Sequence, residues 1–108
     1  MKSADLRLLI QAGESSTLEF KESLPAALAR DLVALANAEG GRVLLGVRDD
    51  GSVLGVKDSS ALRARVQDIA RNCDPPVGVS VGAVGGVLVV EVRESDAKPV
   101  QCSEGFFL

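Results

Sequence analysis

The sequence predicts a single mixed α+β domain over residues 1–108, a central, mostly antiparallel sheet packed with about three helices. Three observations predict it. Apolar residues recur at helical spacing in three separate stretches. Between them stand short aliphatic runs of strand length, some of them strictly alternating. The 108 residues are 46% apolar and 25% charged, which suits one modest core and excludes intrinsic disorder.

Leu6, Leu8, Leu9 and Ile10 mark a short helix over Ala4 to Gln11, stopped at Gly13. Thr17 to Lys21 alternates, with Leu18 and Phe20 on one face and Glu19 and Lys21 on the other, as a half-buried strand does. Ser23 is a candidate cap for the next helix, and Pro25 fits its first turn. Leu24, Leu28, Leu32 and Leu35 form its apolar stripe until Gly40-Gly41 stops it. Val43 to Val47 reads as a central strand covered on both faces. Asp49-Asp50-Gly51 signals a hairpin, with Val53 to Val56 as the return strand. Asp58 or Ser59 caps a third helix carrying Leu62, Val66, Ile69 and Ala70, and Asp74-Pro75-Pro76 forbids its continuation. Val77 to Val81 pairs with Val87 to Val92 across Gly85-Gly86, and Lys98-Pro99-Val100 opens a last extended segment.

Composition removes several chemistries. There is no histidine, hence no Ser-His-Asp triad, no Cys-His pair and no imidazole metal ligand. Two cysteines, Cys73 and Cys102, cannot build a structural zinc site by themselves. They are expected to be reduced in a cytoplasmic protein. No apolar run is long enough to span a membrane, and Asp5 and Arg7 interrupt the first apolar stretch, unlike a signal peptide. A net charge of −3 gives no global attraction to nucleic acid, so any anion-binding surface must be a local patch. The three aromatic residues, all Phe, are too few for the usual base-stacking platform. The sequence stops at Phe106-Phe107-Leu108, and domains rarely finish on exposed large apolar residues. The expectation is a piece of a longer protein.

Several side-chain sets can carry chemistry. Glu14, Glu19, Asp49 and Asp50 would bind Mg²⁺ or Mn²⁺ if their strands are neighbours, because hard cations take oxygen ligands. The same residues also read as a turn and a solvated strand face. Lys21 can meet a phosphate or pair with an acid. Asn37-Ala38-Glu39-Gly40-Gly41 can offer backbone N–H groups to an anion, or simply end a helix. Arg63, Arg65 and Arg71 on the third helix, with Arg30, Arg42 and Arg48 elsewhere, can touch a nucleic-acid backbone, although Asp58, Asp68 and Asp74 are interleaved. Gly51 to Lys57 does not satisfy the spacing of a nucleotide-binding P-loop, which excludes ATP binding by that motif.

Taken together, the segments resemble a known family. Glu14-Ser-Ser-Thr-Leu-Glu19-Phe-Lys21-Glu-Ser is similar to the opening motif of the Schlafen-type AlbA-like domain. Ala34-Leu-Ala-Asn37-Ala-Glu39-Gly40-Gly41 through Gly46-Val47 resembles its core motif, and Asp49-Asp50-Gly51-Ser-Val-Leu-Gly55-Val the hairpin that follows. Asn72-Cys-Asp-Pro75-Pro76, Val89-Val-Glu91-Val-Arg-Glu-Ser, Lys98-Pro99-Val100 and Gly105-Phe106-Phe107 resemble later segments, so the likeness runs from about Glu14 to Leu108. The resemblance implies a nucleic-acid-associated domain, and on that reading Lys21, Arg42, Arg48 and the face of Arg63 and Arg65 would contact the phosphates of DNA or RNA. It implies the N-terminal part of a bacterial transcriptional regulator, followed by a helix-turn-helix segment. In vertebrate relatives a two-Glu, one-Asp metal site cleaves structured RNA. Carried over, that site implies Glu14, Glu19 and Asp49 as catalytic metal ligands for Mn²⁺ or Mg²⁺, with Asp50 as the alternate. Those enzymes grip RNA with two copies of the domain, which here a homodimer would supply. A dimerisation module without nucleic-acid contact is the third reading.

Overall fold

The computed structural model describes residues 1–102. Three helices, α1 (Ser3–Ala12), α2 (Leu28–Asn37) and α3 (Ser60–Arg71), accompany four strands, β1 (Leu18–Lys21), β2 (Gly41–Leu45), β3 (Val79–Val84) and β4 (Val87–Val92). The strands form one sheet in the order β1-β2-β4-β3. The domain is α+β, as the pattern predicts. β2 runs antiparallel to β4, and β4 antiparallel to β3. β1 and β2 run parallel, with Leu18 opposite Arg42 and Lys21 opposite Leu45. A parallel pair needs a crossover, and α2 supplies it.

The pleat sorts the apolar residues into two cores. On one face Leu18, Phe20, Leu44, Val87 and Val89 pack with Leu6 of α1. On the other, Val43, Leu45, Leu88, Val90 and Val92 pack with Leu28, Leu32 and Leu35 of α2 and Val66 and Ala70 of α3. The sheet is therefore a middle layer, thinly covered by α1 and heavily covered by α2 and α3. The β3–β4 hairpin turns at Gly85 and Gly86, both with positive φ (54° and 80°), as a two-residue hairpin of this twist requires. Ser59 caps α3, its hydroxyl accepting from the Leu62 N–H at 3.0 Å. Arg63 Nη1 and Gln67 Nε2 reach from α3 to the carbonyls of Val81 and Val79 on β3, each at 3.4 Å.

Three expectations need correction. Val53 to Val56 is not a return strand: only an isolated bridge joins Val53 to Val47. The reason is topological, since β1 and β4 already occupy both sides of β2. The segment instead folds over the strand's end, where the Gly46 carbonyl accepts from both Leu54 and Gly55 at 2.8 Å. A Cβ on Gly46 would sit 2.9 Å from the Gly55 carbonyl carbon, so this crossing demands glycine. Second, α2 starts at Leu28, not at Leu24, and neither Ser23 nor any other side chain caps it. Third, the strand placed at Val77 to Val81 runs from Val79 to Val84. The expectation drawn from Phe106-Phe107-Leu108 lies outside the described residues. No helix among the described residues is long and apolar enough to cross a membrane.

Candidate functional site

Because Leu18 and Phe20 point to α1, the alternate residues Glu19 and Lys21 point to the α2 face. They are half-buried there, and Asp31 of α2 comes down on them. Lys21 Nζ lies 3.7 Å from Asp31 Oδ2, close enough for attraction but too long for a hydrogen bond. That oxygen is buried and has no hydrogen-bond partner among the described residues.

Glu14 precedes β1 and folds back on it. Its Oε2 accepts from the Phe20 N–H at 3.1 Å, on the side of β1 away from β2. Its carboxyl group also meets that of Glu19. Burial raises the Glu19 pKa above the usual carboxylate value, and the contact with Glu14 and the charge of Asp31 raise it further, while Lys21 opposes them. Burial likewise raises Asp31, with Lys21 as its compensating cation. Glu14, Glu19, Lys21 and Asp31 thus form one interlocked group with an excess of negative charge.

The other acidic pair lies elsewhere in character. Asp49 and Asp50 are exposed on a tight turn in which the Gly51 N–H donates to the Arg48 carbonyl and the Arg48 N–H to the Ser52 carbonyl. Asp50 Oδ1 accepts from the Ser52 N–H at 2.8 Å and its hydroxyl at 2.6 Å, which holds its pKa below the usual range. Arg48 Nη1 reaches the same hydroxyl at 3.4 Å. Among the described residues no three Asp, Glu or Cys side chains are grouped so as to hold a metal ion. Glu14 and Glu19 converge, but the acid that approaches them is Asp31, already paired with Lys21. The arrangement fits a divalent cation only in part.

The predicted phosphate contacts divide in two. Arg63 forks onto Asp58 at 2.7 and 2.8 Å, a contact that raises its own pKa and lowers that of Asp58. Arg42 faces its cross-strand neighbour Glu91 at 3.9 Å. With Lys21 on Asp31, three of the five cations are engaged. Arg48 and Arg65 are exposed, and neither has an acidic partner within 4.0 Å among the described residues.

Sequence reasoning missed Asp31, whose only signal was an acid beside the apolar stripe of α2. It also left the role of Asn37 open between an anion loop and a helix stop. The Asn37 amide donates to the Val100 carbonyl at 3.0 Å and accepts from the Val100 N–H at 2.6 Å, so it behaves as a substitute strand. Lys98 Nζ adds a bond to the Ala38 carbonyl at 2.9 Å. The Gly40 N–H is spent on the Leu35 carbonyl at 2.8 Å, which leaves that amide unavailable to an anion. The segment 37–41 is a structural joint.

Comparison with known proteins agrees with this architecture. A family model described as "Schlafen, AlbA_2" matches residues 14–108. Among curated proteins none matches. The chain is similar to the crystal structure of the DIP2311 protein from Corynebacterium diphtheriae, with a TM-score of 0.57 at 18% identity. The match covers 95% of this chain and 24% of that one, so this chain spans about a quarter of its length.

Proposed function

Because the chain belongs to the Schlafen, AlbA_2 family, we propose that it is the nucleic-acid-binding domain of a bacterial transcriptional regulator in the cytoplasm. The family match over residues 14–108 is the observation that carries this reading. In it, residues 1–108 are the N-terminal part of a longer protein whose helix-turn-helix segment follows. Arg48 and Arg65 make the principal phosphate contacts, since both are exposed and, among the described residues, without an acidic partner. Lys21, Arg42 and Arg63 contribute secondarily, because an ion-paired cation must first release its acid.

The test is binding of labelled duplex DNA and structured RNA across a salt series. Affinity is expected to fall as salt rises, since each neutralised phosphate releases a counterion. Arg48→Ala with Arg65→Ala should weaken binding roughly tenfold or more and flatten the salt slope by about two. Binding that is indifferent to both substitutions would sink the proposal. The same samples, incubated with Mn²⁺ and run on a denaturing gel, test the nuclease reading on Glu14, Glu19 and Asp49. Cleavage that disappears with Glu19→Gln would replace binding by catalysis as the function.

A further inference from the structure

We propose that Cys73 and Cys102 form a reversible intramolecular disulfide, with Cys102 as the thiol that reacts first. The backbone carries this inference. Asp74 and Gln101 are joined by an antiparallel bridge in which each N–H donates to the other's carbonyl at 2.8 Å. Carried one residue outward, the register of that bridge sets 73 opposite 102 in the place of a non-hydrogen-bonded pair. Such positions bring Cα atoms to about 4.5 Å, inside the range a disulfide spans. Both cysteines are free thiols. A second observation agrees, because the proximity of Cys102 is felt by the Cys73 thiol, raising its pKa in addition to the larger effect of burial.

The two sites differ in access. Cys73 is 4% exposed, and its Sγ donates to the Ile69 carbonyl at 3.5 Å, at the C-terminal end of α3. Cys102 is half-exposed. A low-molecular-weight disulfide is therefore met by Cys102. Its thiolate attacks one sulfur of the small disulfide, breaks the S–S bond and releases one small thiolate, leaving a mixed disulfide. Cys73 then loses its proton to solvent and attacks the Cys102 sulfur. The protein disulfide forms and the second small thiolate departs. In sum, two protein thiols are oxidised by two electrons and one small disulfide is reduced to two thiols. The product ties the end of α3 to the segment that Asn37 already holds to α2.

Native protein treated with glutathione disulfide, then alkylated, digested and analysed by mass spectrometry, tests this. The expected product is a monomer with a Cys73–Cys102 cross-linked peptide, and a melting temperature higher by about 10 °C that reverts with reductant. In Cys102→Ser, which alters an accessible position, Cys73 should stay unmodified under native conditions. A lasting glutathione adduct on Cys102 with Cys73 still alkylatable would overturn the proposal. A disulfide-linked dimer, an absence of any reaction, or direct modification of Cys73 in the Cys102→Ser variant would overturn it as well.

Discussion

Glu14 precedes β1 and Glu19 lies on it, while Asp49 and Asp50 sit on a turn after β2; in the sequence the two pairs look alike. The fold treats them in opposite ways. Glu19 is drawn under α2 beside two further acids, with Lys21 as the cation that opposes its raised pKa. Asp50 stays in water and finds its partners two residues along the chain. The first group is set by tertiary packing and holds unrelieved negative charge. The second is a local turn, complete in itself. The difference teaches that burial, and not the number of acids, decides which carboxylates respond to protons and cations.

The largest expected effect comes from removing the buried group's cation. Lys21→Ala leaves Asp31 and Glu19 half-buried and uncompensated, and should cost about 1–2 kcal/mol at pH 7. Arg48→Ala, beside the exposed pair, should change stability by less than about 0.5 kcal/mol. Equal losses in urea unfolding would erase the distinction. A smaller effect of opposite sign is expected for Glu19→Gln, whose amide can donate to Glu14 without borrowing a proton. A carboxylate with a raised pKa penalises the folded state fully at neutral pH, and the penalty lifts as pH falls through that pKa. The variant should therefore be more stable than wild type at pH 7 by less than about 1 kcal/mol, with the gain fading toward pH 4. A gain that persists unchanged at pH 4 would point to packing instead of charge. The smallest effect belongs to Asp50. Its lowered pKa stabilises the fold above about pH 4 and is lost below that. Asp50→Ala should lower the melting temperature slightly at pH 7 and not at all near pH 2.

Much of the fold was legible because its signals are local. The alternation of Leu18, Glu19, Phe20 and Lys21 gives β1 and both of its faces. Gly85-Gly86 gives the hairpin, and Ser59 the start of α3. What was illegible depends on strand neighbours. Val53 to Val56 has the composition of a strand, yet β4, which begins only at Val87, takes the place beside β2. Asp31 could not be assigned to the acidic group until the β1–α2–β2 crossover had placed it above Lys21. Asn37 reads as a helix stop because its partner Val100 is 63 residues away. Arg63 reads as a free cation only until Asp58 is seen to turn back on it.

The two outermost strands have a consequence for how this protein behaves in company. Glu14 takes the outward-pointing N–H of Phe20 and Ser15 pairs with both backbone groups of Leu18, and Arg63 and Gln67 donate to the carbonyls of Val81 and Val79 on the far side. Each margin of the sheet is thus engaged in part from within the same chain. A stray peptide, or a second molecule, therefore meets fewer open backbone groups on which to continue the hydrogen bonding. Edge-to-edge pairing of two copies is thereby discouraged for as long as α3 keeps its grip on β3.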